Sequence, residues 1–396
     1  MFSERTKWNL AANKLSEALA KHRASGKRLI DLTVSNPTDC GFAYETETAL
    51  RALHNPAALR YEPNPKGLEV ARRAVVNYYG ERGAAVSSDD IILTASTSEA
   101  YSFVFRLLCN SGDEVLIPAP SYPLFAFLAE ILDIKLVRYP LIYDHGWQID
   151  LHSLQQAITP GTRGLIVVNP NNPTGHFAKE NEIAKLNELC AAREIALIAD
   201  EVFLDFALGA HGAVSCAGNS GALTFTLSGL SKICGLPQMK IAWVIASGPE
   251  GLKQQALERL EVIADTYLSP STPVQLATPD FLELRRGFQA QVVARVRRNL
   301  LELDRQLRTQ NICTRLEVEG GWYAVLRVPA LQTDEELAIA LLETRDVYVH
   351  PGHFFDFGRE GYLVVSLIGL EEEFAPGIAG ILSAFEDGQK KITQRR

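Results

Sequence analysis

The chain alternates between short apolar runs and longer stretches with helical spacing. Runs of β-forming residues recur from residue 91 to 246: IILT (91–94), EVLIP (114–118), IKLVRYP (134–140), GLIVVN (164–169), IALIAD (195–200), LTFTL (223–227) and KIAWVIA (240–246). Between most of them, apolar positions fall three and four apart, as in SEAYSFVFRLLC (98–109) and ENEIAKLNELCAA (180–192). That period predicts helices. Runs such as IVV and IALIA are apolar on both faces, the pattern of strands covered by helices on both sides. Seven such strands predict an open, mostly parallel α/β sheet. From about 273 to 309 the pattern becomes one long helix, with Leu282, Phe288, Val292, Val296, Leu300 and Leu303 at helical spacing. Short strands and helices follow (WYAVLRV, VYVH, YLVVSLI) and predict a smaller α+β unit. Residues 1–40 read as an amphipathic helix and an extended segment that folds back onto that unit. The expected division is a large domain over 45–280 and a small one built from 1–44 and 281–396. The tail EDGQKKITQRR reads as a frayed, solvated end.

Composition narrows the function classes. At 396 residues the chain is too long for a single core. Its 47% hydrophobic and 22% charged residues are ordinary for a globular protein. Acidic residues outnumber basic ones, 47 to 39, for a net charge of −8, which argues against a nucleic-acid or anionic-membrane partner. The start, MFSERTKWNL, carries no apolar signal core, and no apolar run approaches the ~18 residues of a membrane span. The six cysteines (Cys40, Cys109, Cys190, Cys216, Cys234, Cys313) never reach a CxxC spacing. They read as scattered thiols of a reducing compartment, with no disulfide frame and no metal site. A cytoplasmic location is expected. GxGxxG, GxxxxGK[ST], HExxH and GxSxG are all missing, which removes the usual signals of dinucleotide binding, P-loop chemistry, zinc proteolysis and α/β-hydrolysis.

What remains is a set of polar clusters after strands, where open α/β sheets place their sites. SGLSK ends in Lys232. Alone, such a lysine is usually a surface group; stripped of water, it is a nucleophile towards an aldehyde. Asp200 closes IALIAD and is followed by Glu201, Val202 and Phe203; it reads either as a turn cap or as a carboxylate for a protonated ring nitrogen. VVNPNNPTGH is a tight turn by composition, with Asn172 placed to hydrogen-bond a ligand. TASTSEAY sets Ser96, Thr97 and Ser98 at a helix start, either as a plain cap or as an anion site. PAPSYP brings Tyr122 to the mouth of the same sheet end.

In this order the five clusters resemble the class I/II aminotransferases, the fold type I pyridoxal-phosphate enzymes. The spacing of NNPTG, DEVF and SGLSK, about 25 to 30 residues apart, carries most of the likeness. It runs from SNPT (35–38) and YEPNPKG (61–67) to PGHFFDFGREGYLVVSLI (351–368). The resemblance implies that Lys232 holds pyridoxal 5′-phosphate as a Schiff base and moves the substrate proton. It implies that Asp200 keeps the ring nitrogen protonated, Asn172 donates to the ring 3-oxygen, and Tyr122 stacks on the ring, while at Phe203 the family's second hydrogen bond to that oxygen is missing. Ser96, Thr97, Ser98, Ser231 and Lys240 would contact the phosphate end. Tyr61 would reach the phosphate of a neighbouring subunit, so a homodimer acting on an amino donor and a keto acid is expected.

Departures from the family's pattern fall on both the cofactor side and the substrate side. Phe203 stands for a tyrosine, Lys240 for an arginine, Gly229 for a serine three residues before the lysine, and Ser35, beside Asn36, for a glycine. Where the family carries the arginine that grips a substrate carboxylate, two residues before Ser366, this chain has Val364. Lys66 and Arg327 are the cations considered as substitutes. An aminotransferase is therefore the first expectation, and a same-fold lyase or synthase the second. An aminotransferase-like binding module without catalysis ranks lower, because only about 30 residues precede the first matched segment, too few for a DNA-binding region. A nicotinamide dehydrogenase ranks last for want of the glycine fingerprint.

Overall fold

A computed structural model describes residues 1–209 and 214–393, with side chains in the last helix described as far as Glu386. Its strands in chain order are β1 (Ile30–Asp31), β2 (Ile91–Thr94), β3 (Glu114–Ala119), β4 (Lys135–Tyr143), β5 (Trp147–Ile149), β6 (Thr162–Val168), β7 (Ala196–Asp200), β8 (Thr224–Gly229), β9 (Ala242–Ser247), β10 (Thr314–Arg315), β11 (Tyr323–Arg327), β12 (Val347–Tyr348), β13 (His350–Pro351) and β14 (Tyr362–Ser366). The main sheet has the order β2-β9-β8-β7-β6-β3-β4-β5. The four central pairings, β8–β7, β7–β6, β6–β3 and β3–β4, are parallel. The outer ones, β2–β9, β9–β8 and β4–β5, are antiparallel.

All seven apolar runs became strands, and the sheet has an eighth. β5 is three residues long and pairs with the end of β4 across a turn at Asp144–Gly146. Its side chains alternate buried, exposed, buried, and so short an alternation carries no periodic signal. The central strands owe their all-apolar sequence to cover on both faces: every residue of β7, β8 and β9 is buried. On one side Phe103, Val104 and Leu260 pack on the sheet; on the other Tyr78, Tyr79, Trp243 and Phe281 close the core.

The second sheet, β10-β11-β14-β13, is antiparallel. The predicted long helix is a single element, Thr272–Leu307, and it crosses the expected boundary at 280 without a break. The N-terminal segment folds back as expected: β1 runs parallel to β12, with Ile30 opposite Val347. The tail read as frayed is instead the last part of helix Glu371–Thr393; residues 394–396 lie outside the described residues. Among the described residues, no helix is long and apolar enough to cross a membrane, and no cluster of His, Cys, Asp and Glu could hold a metal.

Candidate active site

Strand register gathers the predicted residues. Thr94 at the end of β2 lies opposite Ala242 of β9, which lies opposite Gly229 at the end of β8. Leu227 of β8 faces Asp200, and Asp200 faces Val168 at the end of β6. Everything that leaves these strand ends therefore opens on one edge of the sheet. The helix Thr97–Leu108 follows β2, the loop of Asn172 follows β6, Phe203 follows β7, and the short helix Leu230–Ile233, bearing Lys232, follows β8.

The Lys232 side chain is only partly exposed. Its Nζ lies 5.1 Å from the centre of the Trp322 ring and 5.8 Å from that of Phe203. Burial lowers its basicity below that of an ordinary lysine, while Asp200 opposes the shift. A lysine that readily loses its proton can attack a carbonyl carbon. Its helix is anchored from behind, because Gln289 donates to the Ile233 carbonyl (3.0 Å) and to Asp205 (2.6 Å). The Tyr44 hydroxyl donates to the Gly235 carbonyl (2.9 Å). Gly229 has a steric reason: a Cβ there would meet the Ala242 Cβ at 2.7 Å and the Ile241 carbonyl at 2.8 Å. β9 packs too closely to admit the family's serine without shifting the backbone.

Asp200 is buried and accepts from the Tyr101 hydroxyl (2.9 Å) and the Val202 N–H (3.1 Å). Burial raises its pKa above the usual aspartate value, and the two hydrogen bonds and Lys232 pull against that rise. Tyr101 is a site residue that the sequence reading missed. It follows Thr97 by one helical turn, but only the docking of its helix on the sheet aims it at Asp200. Asn172 is buried, and its Oδ1 has no hydrogen-bond partner. Gly175, at φ +71°, lets its loop approach the Gly320 carbonyl, which a Cβ would meet at 2.6 Å. The loop carrying Asn172 is thus seated against the one carrying Trp322. Phe203 is buried edge-on against Trp322, with ring centres 5.1 Å apart.

The remaining predicted residues divide. Ser96 caps the helix Thr97–Leu108, accepting from the Glu99 N–H (3.1 Å). Thr97 and Ser98 form its first turn and are partly exposed, as an anion-binding turn requires. Tyr122, 45% exposed, and Ser231, partly exposed, border the same edge. Lys240 is exposed, in a left-handed turn (φ 52°) two residues before Ala242. Ser35 hydrogen-bonds the Tyr323 hydroxyl, whose pKa burial pushes up to about 12. Asn36 is exposed and spent on its own turn, accepting from the Thr38 N–H and donating to Asp39. Val364 is wholly buried in β14. Neither substitute cation fits: Lys66 is held by the Asp89 carbonyl (3.2 Å) and Glu261 (3.5 Å), and Arg327 is exposed at the end of β11.

A model of the aminotransferase class I and II family matches residues 27–373. The chain belongs to that family. Its relatives include the Escherichia coli glutamate-pyruvate aminotransferase AlaA, 30% identical over 255 residues. That match covers 64% of this chain but only 63% of the relative's length. An alanine aminotransferase of Mycobacterium tuberculosis is 27% identical over 374 residues, 91% of this chain and 86% of the relative. Among solved structures, the Pyrococcus furiosus alanine aminotransferase superposes with a TM-score of 0.87 at 22% identity, over 98% of this chain and 100% of the other. A single mutant of the Thermus thermophilus aspartate aminotransferase gives 0.84 at 23%, over 96% and 98%. At those identities the structures establish the fold.

Family members work with pyridoxal 5′-phosphate, and the residues here fit it. Asp200 is a buried carboxylate with no cation bonded to it among the described residues, the Asn172 Oδ1 is orphaned, and a helix N-terminus opens beside them. A buried carboxylate left so is stabilised by a positively charged donor, which a protonated pyridine nitrogen supplies.

Proposed function

We propose that the chain is a pyridoxal-phosphate-dependent aminotransferase passing an amino group between an amino donor and a keto acid. One observation carries the proposal: a water-poor lysine set beside a buried carboxylate and a helix N-terminus at one edge of the sheet. When bound, the cofactor takes up the amino group and spreads the electron pair released at the substrate's Cα. The chain's residues do the rest. Lys232 Nζ would anchor the cofactor and, once displaced by the incoming amine, would carry the proton taken from the substrate's Cα. Asp200 would hold the ring nitrogen protonated, Asn172 would bond the ring 3-oxygen, and Phe203 and Tyr122 would exclude water from the ring. Ser96, Thr97, Ser98, Ser231 and Lys240 hold the phosphate.

We also propose a homodimer, supported by Tyr61, which is 75% exposed and free to extend beyond its own chain. A cytoplasmic location is in keeping with six unpaired cysteines. The division into 45–280 and 1–44 with 281–396 belongs to the same proposal, supported by the pairing of β1 with β12.

Purified protein supplied with the cofactor should show a visible band that borohydride abolishes, with the reduced adduct on Lys232 in peptide mapping. An adduct on another lysine, or none, would defeat the assignment. The pH dependence gives a second check. Burial raises the Asp200 pKa and the Tyr101 hydroxyl opposes it, so Tyr101→Phe should let the carboxyl protonate at higher pH. The acidic limb of kcat/KM should then move upward and the rate at neutral pH fall about tenfold, one hydrogen bond to a charged group. An acidic limb in its original place would remove Asp200 as the titrating group.

A further inference from the structure

The motif VVNPNNPTGH ends in a histidine that the proposed reaction leaves without a role. His176 is 2% exposed, and its ring lies between two carboxylates from different parts of the chain. Nε2 is 3.4 Å from Glu182, in the first turn of helix Glu180–Arg193. Nδ1 is 3.7 Å from Glu319, between β10 and β11. Neither ring nitrogen makes a normal hydrogen bond among the described residues, which leaves charge as the attraction. Two further titratable groups border the cluster. Lys179 pairs with Glu319, and Tyr139 of β4 senses Glu182, its hydroxyl kept neutral first by burial and then by that charge.

Backbone donors fix both carboxylates. Glu182 accepts from the N–H groups of Ile149 (2.7 Å) and Lys179 (2.8 Å), and Glu319 from that of Phe177 (2.9 Å). Burial alone would raise the Glu319 pKa, but His176, Lys179 and the Phe177 N–H hold it at about 2. Burial likewise opposes a charged His176. The two carboxylates more than offset it, and the imidazole pKa stands above its ordinary value.

The cluster joins the loop of Asn172 to the loop of Trp322. On the first loop, the His176 carbonyl accepts from the N–H of Asn171 (2.8 Å), the neighbour of Asn172. On the second, the Glu319 carbonyl accepts from the Leu208 N–H (2.8 Å), and the Gly321 N–H donates to the Phe206 carbonyl (2.9 Å). Trp322 follows directly, with its ring centre 5.1 Å from Lys232 Nζ.

We propose that His176, clasped between Glu182 and Glu319, is a positioning residue that holds Asn172 in reach of the cofactor's ring 3-oxygen. The proposal rests on the aminotransferase reading above, in which Asn172 meets that oxygen. Loss of the His176 proton removes the attraction to both carboxylates at once and loosens the loop at its Asn172 end. The sign follows from the raised pKa. Such a group stabilises the fold fully below its unfolded value of about 6.5, and ceases to as pH rises through the folded value.

Four full-length proteins test this: the wild type, His176→Gln, Asn172→Ala and the double variant. Glutamine keeps a polar side chain and cannot carry the charge. Cofactor affinity is read from quenching of tryptophan fluorescence. At about pH 6, His176→Gln should weaken binding about five- to tenfold, the loss of one hydrogen bond. The difference should shrink towards about pH 9, because the wild type then loses the same charge. In the Asn172→Ala background the substitution should change affinity less than about twofold, since the bond it positions is already gone. Without cofactor, the wild type should melt above His176→Gln at about pH 6, and that gap should close over the same range. If His176→Gln does not fold by circular dichroism, Glu319→Gln, which keeps an acceptor for the Phe177 N–H, should give the same trends. Differences that stay constant with pH, or that persist undiminished in the Asn172→Ala background, mean that His176 only packs the loop, and they overturn the proposal. A chain that takes no borohydride adduct on Lys232 fails the proposed function and this inference with it. An adduct together with differences that ignore pH overturns this inference alone.

Discussion

Lys232→Ala should fold normally and lose transamination by about 10⁴-fold or more, because anchor and proton carrier vanish together. The fold should survive because the Lys232 side chain forms no hydrogen bond and no ion pair among the described residues, while burial disfavours its charge. Removing a desolvated ammonium relieves a cost and breaks no bond. The variant should therefore match the wild type in melting temperature and circular dichroism, and should release cofactor on dialysis. Single-turnover kinetics with a fast amine provides the measurement. A variant within about 100-fold of the wild type would mean that another base moves the proton.

Asp200→Ala should slow the proton-transfer step by roughly 10²- to 10⁴-fold, equivalent to about 3–5 kcal/mol for leaving a buried charge unpaired. The reasoning follows from burial. Asp200 lies under the site with Tyr101 and Val202 as its partners, and its pKa is raised because water cannot reach it. A cationic ring nitrogen would give that carboxylate its missing partner, and the carboxylate would keep the nitrogen protonated in return. Asp200→Asn, which keeps the shape but loses the charge, should fall nearly as far. Primary isotope effects with Cα-deuterated donor would show that the slowed step is proton transfer. Near-wild-type rates in either variant would remove Asp200 from the mechanism.

Neighbouring residues show how far the sequence could carry this picture. The clusters at Lys232, Asp200 and Asn172 were legible because each sits directly after a strand whose apolar pattern is continuous. A strand end aims whatever follows it at the sheet edge. Tyr101 was not legible, since its spacing from Thr97 is the same whether its helix lies on the sheet or faces solvent. Cys40 and Gln289 escaped for a similar reason. Cys40 acts on Lys232 across nearly two hundred residues of chain, and Gln289 reaches Asp205 and Ile233 from a helix that begins at Thr272. β5 escaped because three residues make too short an alternation. Asn36 looked like a substrate contact from its place in SNPT, but its side chain is consumed by the turn that follows it.

The sequence by itself determined the α/β alternation, the long helix, the family and the residues proposed to bear the chemistry, because each is written in a local pattern or motif. Tertiary structure decided which of those residues meet. Pairing Gly229 with Ala242 and Thr94 with Ala242 brings the lysine helix beside the anion-binding helix. Docking of the second sheet sets Trp322 over Lys232 and buries Leu363, Val364 and Val365. The charge at the site is likewise a property of the fold. Lysine, aspartate and histidine have fixed intrinsic pKa values, and the water each loses on burial shifts them. That loss depends on every element packed around them.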